Sequence, residues 1–175
     1  MPASSLSCIA QFIDTITDRL GRAIIWLTLV MVLLTFLIVL LRYGFNIGFI
    51  AMQESVLYLH GIVIMLGAAF ALKEDAHVRV DIFYQKFSQK QQALVNALGI
   101  IFLLLPVCLF FFYISLDYVL ASWRVLEKSS EAGGLPFVYL NKTLLLLLPL
   151  TLFLQGISEL CKSVLSYQVA TGENG

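Results

Sequence analysis

Charge is scarce in this sequence, and the little there is cancels. Lys and Arg number 11 against 11 Asp and Glu, 13% of 175 residues, so the formal net charge is zero. Without a basic excess, nothing electrostatic points to nucleic acid as a partner. Cysteine is equally thin. Cys8, Cys108 and Cys161 stand far apart, with no C-x-x-C spacing and no set of pairs, so neither a zinc site nor a disulfide scaffold can be read. Two of the three fall in or near apolar stretches, where a thiol serves as a small hydrophobe. Also missing are a G-x-x-x-x-G-K-[ST] phosphate loop, an H-E-x-x-H metal pair and a G-x-S-x-G nucleophile turn, so the chain offers no ATP site of that kind and no familiar catalytic constellation. The expectation is a protein that is not an enzyme and carries no cofactor or metal.

Apolar residues are what the chain has in quantity: 60% of it is hydrophobic and the mean hydropathy is +0.92. A soluble domain of this size must still cover itself with polar groups, and lipid is the solvent that lifts the requirement. Four apolar stretches reach the roughly 20 residues that a helix needs to cross about 30 Å of hydrocarbon. They lie at about 23–41, 49–72, 93–120 and 143–161, the apolar part of the last ending near Ile157. Each must be helical, because lipid offers no partner to an unpaired amide. Pro106 and Pro149 are expected to kink their helices and free the carbonyls of Phe102 and Leu145.

The first span reads as a retained anchor. Some twenty residues with Asp14 and Asp18 precede it, and the exit Arg42-Tyr43-Gly44 is no small-x-small cleavage site. Ahead of it, Ile9, Ile13, Ile16 and Leu20 recur at helical spacing opposite Gln11, Thr15, Asp18 and Arg22, which predicts a short amphipathic helix over about 5–20 lying on the membrane face. Ser88 and Gln91 form an S-x-x-Q capping box for the third helix. Trp26 and Trp123 sit near span ends, as interfacial aromatics do. Asn141-Lys142-Thr143 matches a glycosylation sequon but abuts a span and reads as accidental. Arg19, Arg22, Lys73, Arg79, Lys86, Lys90 and Lys162 lie on one side of the membrane, against Arg42, Arg124, Lys128 and Lys142 on the other; the excess of basic residues puts both termini in the cytoplasm. The predicted fold is therefore one all-α integral membrane domain over 1–175: four transmembrane helices plus a short N-terminal amphipathic helix.

Ionisable groups within spans are costly and point to function or to a partner. His60 is the deepest. With Gln53, Gly67 and Glu74 it forms a stripe of seven-residue spacing, while Glu54, Tyr58, Gly61, Met65 and Ala68 form another about 120° away. Two stripes of polar and small residues imply two neighbouring helices. A proton relay or a haem ligand is the functional reading of His60, and a hydrogen-bonded histidine within a helix interface is the plainer one. Glu54 stands near Arg42 across a short hairpin, so an ion pair between them is expected. Glu159 and Lys162 are at pairing distance on a helix. No span holds the cluster of ionisable groups that an ion-coupled carrier needs at mid-membrane. The most polar outward segment holds Glu127, Ser129, Ser130 and Glu131 before Gly133-Gly134, a natural docking surface for something outside.

Several of these strings carry a family likeness. Arg42-Tyr43-Gly44-Phe45-Asn46 follows the first span and Gln53-Glu54 opens the second. Leu66-Gly67-Ala68-Ala69-Phe70-Ala71-Leu72-Lys73 and His77-Val78-Arg79-Val80-Asp81 come next. From about Asp14 to Lys162 the sequence resembles the small membrane subunit, DctQ-type, of tripartite ATP-independent periplasmic (TRAP) transporters. Ser129-Ser130-Glu131-Ala132-Gly133-Gly134-Leu135 is similar to the branch labelled mannitol/chloroaromatic. The resemblance implies a bacterial inner-membrane protein that braces the scaffold of a large multi-span permease subunit, the sodium-coupled elevator. It also implies a periplasmic binding protein that delivers an organic anion such as a 2-oxo acid. On this resemblance Arg42, Tyr43 and Glu54 would fix the outer hairpin. His77, Arg79 and Asp81 would set the cytoplasmic loop against headgroups or partner, and Glu127 to Glu131 would face the binding protein. Two other classes remain open at this point. One is a haem-b anchor subunit of a respiratory enzyme using His60; the other is a stand-alone small exporter.

Overall fold

The computed structural model describes residues 2–76, 84 and 86–172. Every long apolar stretch is helical in it, and four helices are long and apolar enough to cross a membrane. Helix α1 spans Pro2–Gly44 and α2 spans Ile50–Lys73. The third crossing begins as α3, Gln89–Gly99, widens into one π-helical turn over Ile100–Leu104, and continues as α4, Leu105–Arg124. Helix α5 spans Val138–Thr171.

The first helix departs from expectation. Residues 5–20 are helical, but no break separates them from the span. At about 1.5 Å per residue, 43 residues make a rod about 64 Å long, twice the hydrocarbon thickness. Nothing between Leu20 and Ala23 can stop a helix, for there is no proline and the lone Gly21 is tolerated at small cost. The face it buries is also not the isoleucine stripe: Ile9 and Ile16 remain nearly half exposed, while Ala10 and Thr17 are buried. Small and polar residues, not the large apolar ones, turn inward here.

Helix α5 is the hub. It contacts α1, α2, α3 and α4, and α1 pairs further with α2. About a third of its most apolar stretch is buried, against roughly a tenth or less in the other three crossings. Its buried residues (Leu144, Pro149, Gln155, Gly156, Ser158, Cys161, Ser163) are mostly small or polar. That is the composition expected where lipid removes any gain from hiding large hydrophobes and helices are instead held by close approach and hydrogen bonds. The large hydrophobes point out, among them Trp26, Phe36, Leu57, Phe102, Phe110 and Ile114.

Proline is accommodated differently in its two helices. Pro106 donates no amide and its ring crowds the preceding turn. Instead of a bare kink the chain inserts a π turn just before it, with the Leu105 amide bonded five residues back to Ile100. Helix α5 continues unbroken through the buried Pro149, and the Thr151 hydroxyl donates to the carbonyls of Leu147 and Leu148 at 2.9 and 3.1 Å. Other span hydroxyls find the same kind of partner one turn back: Thr28 on Ile24, Thr35 on Met31 and Ser55 on Ala51. In lipid such a bond is the only internal option for an outward hydroxyl. The Ser88–Gln91 capping box is present in full. Asn46 ends the α1 turn in the left-handed conformation (φ 56°), which asparagine tolerates better than most residues.

Gly21 sets the spacing of α1 and α2. A Cβ built there would lie 2.5 Å from the Phe70 ring. Gly21→Val should therefore force the two helices apart at a cost of about 1–3 kcal/mol, read as a lower thermal midpoint in detergent, and Phe70→Ala in the same chain should recover most of the loss. A midpoint unchanged by Gly21→Val would show that the helices are not packed through this point.

Candidate functional site

Antiparallel packing brings the polar residues into two groups at opposite ends of the bundle. The end that carries both termini holds the larger group. Asp14, on the buried side of α1, accepts from the Ser158 hydroxyl at 2.7 Å, from the Gln155 amide at 3.0 Å and from Lys162 at 2.8 Å. Gln155, fully buried, donates also to Glu159 and accepts from the Thr17 hydroxyl at 2.7 Å. Lys162 bridges Asp14 and Glu159, the latter at 2.7 Å and three residues back on the same helix. One turn further along α1, Asp18 pairs with Lys73 at the end of α2, and Lys73 reaches Glu74 as well. Three helices are thus tied by a network in which each buried polar atom described here has a partner, the condition under which a buried polar network stabilises.

The other end is closed by the segment between α4 and α5. Glu54, one turn into α2, takes hydrogen bonds from the Ser129 hydroxyl and from the Leu135 amide, the latter at 2.6 Å. Ser129 in turn accepts from the Glu131 amide, and its own amide donates to the Leu135 carbonyl. Gly134 fits beside this carboxylate because a Cβ there would strike Ser129 and lie 2.8 Å from Glu54. Lys142 bonds Glu127 at 2.6 Å and sits 4.1 Å from the centre of the Tyr118 ring. Trp123 donates to the Thr143 hydroxyl at 2.9 Å and meets the Tyr139 ring edge-on at 4.7 Å. The bond from Lys142 holds the Glu127 carboxyl below the usual carboxylate range.

The expected Arg42–Glu54 ion pair is absent from the described residues. Arg42 is exposed, as is Tyr43, and the Glu54 carboxylate is occupied by the Ser129–Leu135 segment instead. The physical reason is topological: α2 faces α5 with this side, so the loop before α5 reaches Glu54 first. Of the outward candidates, Glu127 and Ser129 face into the fold, while Ser130 and Glu131 are exposed. His60 lies on the outer surface of α2 and Gly67 has open space above it. His77, Arg79 and Asp81 lie outside the described residues. Sequence reasoning missed Asp14, Asp18, Gln155 and Ser158 as a group. The signal was there: Asp14 and Asp18 at i, i+4 in α1, and Gln155, Ser158 and Lys162 at helical spacing at the end of an apolar run.

Long helices, outward apolar faces and polar ties confined to the two ends define a multi-pass helical membrane protein. The chain belongs to the DctQ component of tripartite ATP-independent periplasmic transporters, whose family pattern it matches over residues 31–165. It is 36% identical, over 88 residues, to a protein of Haemophilus influenzae (strain ATCC 51907 / DSM 11121 / KW20 / Rd) named as a TRAP transporter small permease protein. That match takes in 50% of this chain and 53% of the relative, so the chain spans about half the length of the curated relative it matches. No solved structure gives a significant match.

Two tests follow from the ties. Gln155→Leu, of similar size, strands the Thr17 hydroxyl and takes a donor from Asp14, and should cost about 1–3 kcal/mol of stability, seen in thermal melts of detergent-solubilised protein. A change within error would mean that this end is not held by the network. For Glu127 the sign is fixed by its lowered value: a carboxyl whose folded pKa lies below its unfolded one stabilises fully above the unfolded value and less as pH falls through the folded one. Limited proteolysis of the segment at 127–135 should therefore stay slow at neutral pH and speed up below the ordinary carboxylate range, about pH 4, and Lys142→Met should bring that acceleration to higher pH.

Proposed function

We propose that this chain works as the small permease subunit of a TRAP transporter in a bacterial inner membrane. In this reading its helices brace the scaffold of a large multi-span permease subunit, which carries an organic anion inward at the expense of a sodium gradient after a periplasmic binding protein has delivered it. The termini and the 74–88 connection face the cytoplasm, and the segment at 125–137 faces the periplasm. Family membership supports the first part. The division of labour rests on one observation: five acids that could hold a cation or a transported solute are already bonded within the chain, while Asp117 near the end of α4 is exposed. Asp14, Asp18 and Glu159 tie the terminal end, and Glu54 and Glu127 tie the other. Side chains so occupied fix helix ends in place, and a part that stays fixed is what a mobile carrier domain needs beside it. The haem-anchor alternative asks for a second histidine inside the membrane, and the chain's other one, His77, follows the second span.

The test is recovery of the chain, tagged at its C-terminus, from its native membranes in mild detergent. A stoichiometric multi-span partner is expected, and liposomes holding both chains with the binding protein should take up a carboxylate under a sodium gradient while this chain alone does not. Uptake by the chain alone, or recovery with a redox enzyme showing a Soret band, would sink the reading. Within the reconstituted system, Glu54→Gln should leave the substrate KM within about twofold while making the 127–135 segment more sensitive to protease, because its carboxylate serves the fold; the twofold limit is about 0.4 kcal/mol, within ordinary variation.

A further inference from the structure

Helix α2 carries two stripes of polar and small residues, and the chain itself uses only one of them. Glu54, Tyr58, Gly61, Met65 and Ala68 turn toward the rest of the bundle. The Glu54 carboxylate meets the segment before α5, and a Cβ on Gly61 would lie 3.2 Å from Leu144 and 3.3 Å from the Asn141 side chain of that helix. Gln53, His60 and Gly67 lie on the other stripe. Gln53 and His60 are exposed, with Leu57 and Ile64 exposed between and beyond them, and nothing comes within 4 Å of a Cβ placed on Gly67. No described residue gives the His60 imidazole a hydrogen bond.

Depth turns this into a constraint. His60 is ten residues past the start of α2, about 15 Å along a helix that crosses about 30 Å of hydrocarbon. At that depth there is no water and no headgroup, and an imidazole left facing acyl chains has at least one ring nitrogen without a partner. It is too short to reach either interface, as a lysine or arginine could. The outward face of α1 shows what a lipid-facing surface of this protein looks like: Leu29, Val32, Leu33 and Phe36, with the one hydroxyl among them, Thr35, bonded to the Met31 carbonyl of its own helix. The α2 stripe differs in having hydrogen-bonding groups one turn and three turns into the helix and a glycine notch two turns further on, the combination that membrane helices use to approach one another.

We propose that the Gln53–His60–Gly67 face of α2 is the docking surface for a transmembrane helix of the large permease subunit, with the His60 imidazole hydrogen-bonded to a polar side chain or free carbonyl of that helix at mid-membrane. This rests on the function proposed above and names the face through which it operates. By its description the family is one component of a tripartite transporter, and the large permease subunit of the function proposed above is the occupant to which this face is assigned. Lipid leaves the imidazole unsatisfied, and the remaining faces of α2 are taken up by α1 and α5. Gly67, open here, would let the partner's backbone come close.

The experiment places a photo-crosslinking amino acid at position 60 of the tagged chain, with position 58 on the inward stripe as control, and irradiates native membranes before purification. An adduct of the position-60 chain with the multi-span partner, absent from position 58, is the expected result. In a second arm, His60→Leu should lower the recovery of that partner about three- to tenfold, the range for one interhelical hydrogen bond in lipid, and His60→Gln should restore most of it. If the tag still recovers the partner but position 60 joins only lipid or a second copy of this chain, this docking face is wrong and the proposed function stands. If His60→Leu leaves recovery unchanged, the imidazole has no part in the contact. If no multi-span partner is recovered at all, both readings fall together.

Discussion

Everything else in this bundle depends on the side of α5 that buries polar atoms against α1. Asp14 meets Ser158, Gln155 and Lys162 there, and Gln155 passes the network on to Thr17 and Glu159. A soluble helical bundle is held mainly by removing large hydrophobes from water. A bundle in lipid has no such term between its helices, because acyl chains are as apolar as leucine. Satisfied hydrogen bonds and close backbone approach must carry the specificity, and both are concentrated on this one helix.

The consequence is a molecule arranged inside out relative to a soluble one. Its interior positions are mostly alanine, serine, threonine, glutamine and cysteine, with Ile100, Val119 and Leu144 the large aliphatic exceptions, and its surface is rich in leucine, phenylalanine and tryptophan. The ends, where charge is affordable, carry ion pairs that fix which helix stands beside which. Asp18–Lys73 joins α1 to α2, Asp14–Lys162 joins α1 to α5, and Lys142–Glu127 ties α5 to the segment after α4. Between the ends the bundle relies on close contacts such as Gly61 on Leu144 and Gly156 on Leu104. Such a frame carries its charge at both ends and is apolar between.

Much of this was legible from the residues. The number and rough extent of the crossings followed from apolar runs, since lipid permits only helices there. The Ser88–Gln91 cap and the Glu159–Lys162 pair followed from local spacing, and the family likeness seen in the Arg42–Asn46 and Leu66–Lys73 strings agrees with membership over residues 31–165. What could not be read was which distant residues meet. Arg42 looked like the partner of Glu54 because it is near in sequence, yet Ser129 and Leu135, some 75 and 81 residues away, reach it first. The isoleucines before the first span looked like the working face of a separate helix. The small residues between them turned out to form the contact, because a long helix continuous with its span is positioned by what the rest of the chain offers it.

The sequence by itself determined the solvent of this protein, the number of its crossings and the cap that starts the third, because those depend on hydropathy and capping groups within a few residues of one another. Only the tertiary structure decided how the polar groups are shared out. Whether Asp14, Glu54 or His60 is satisfied within the chain depends on which helices become neighbours. That is set by the summed geometry of four crossings and their connections, and no short stretch of sequence contains it.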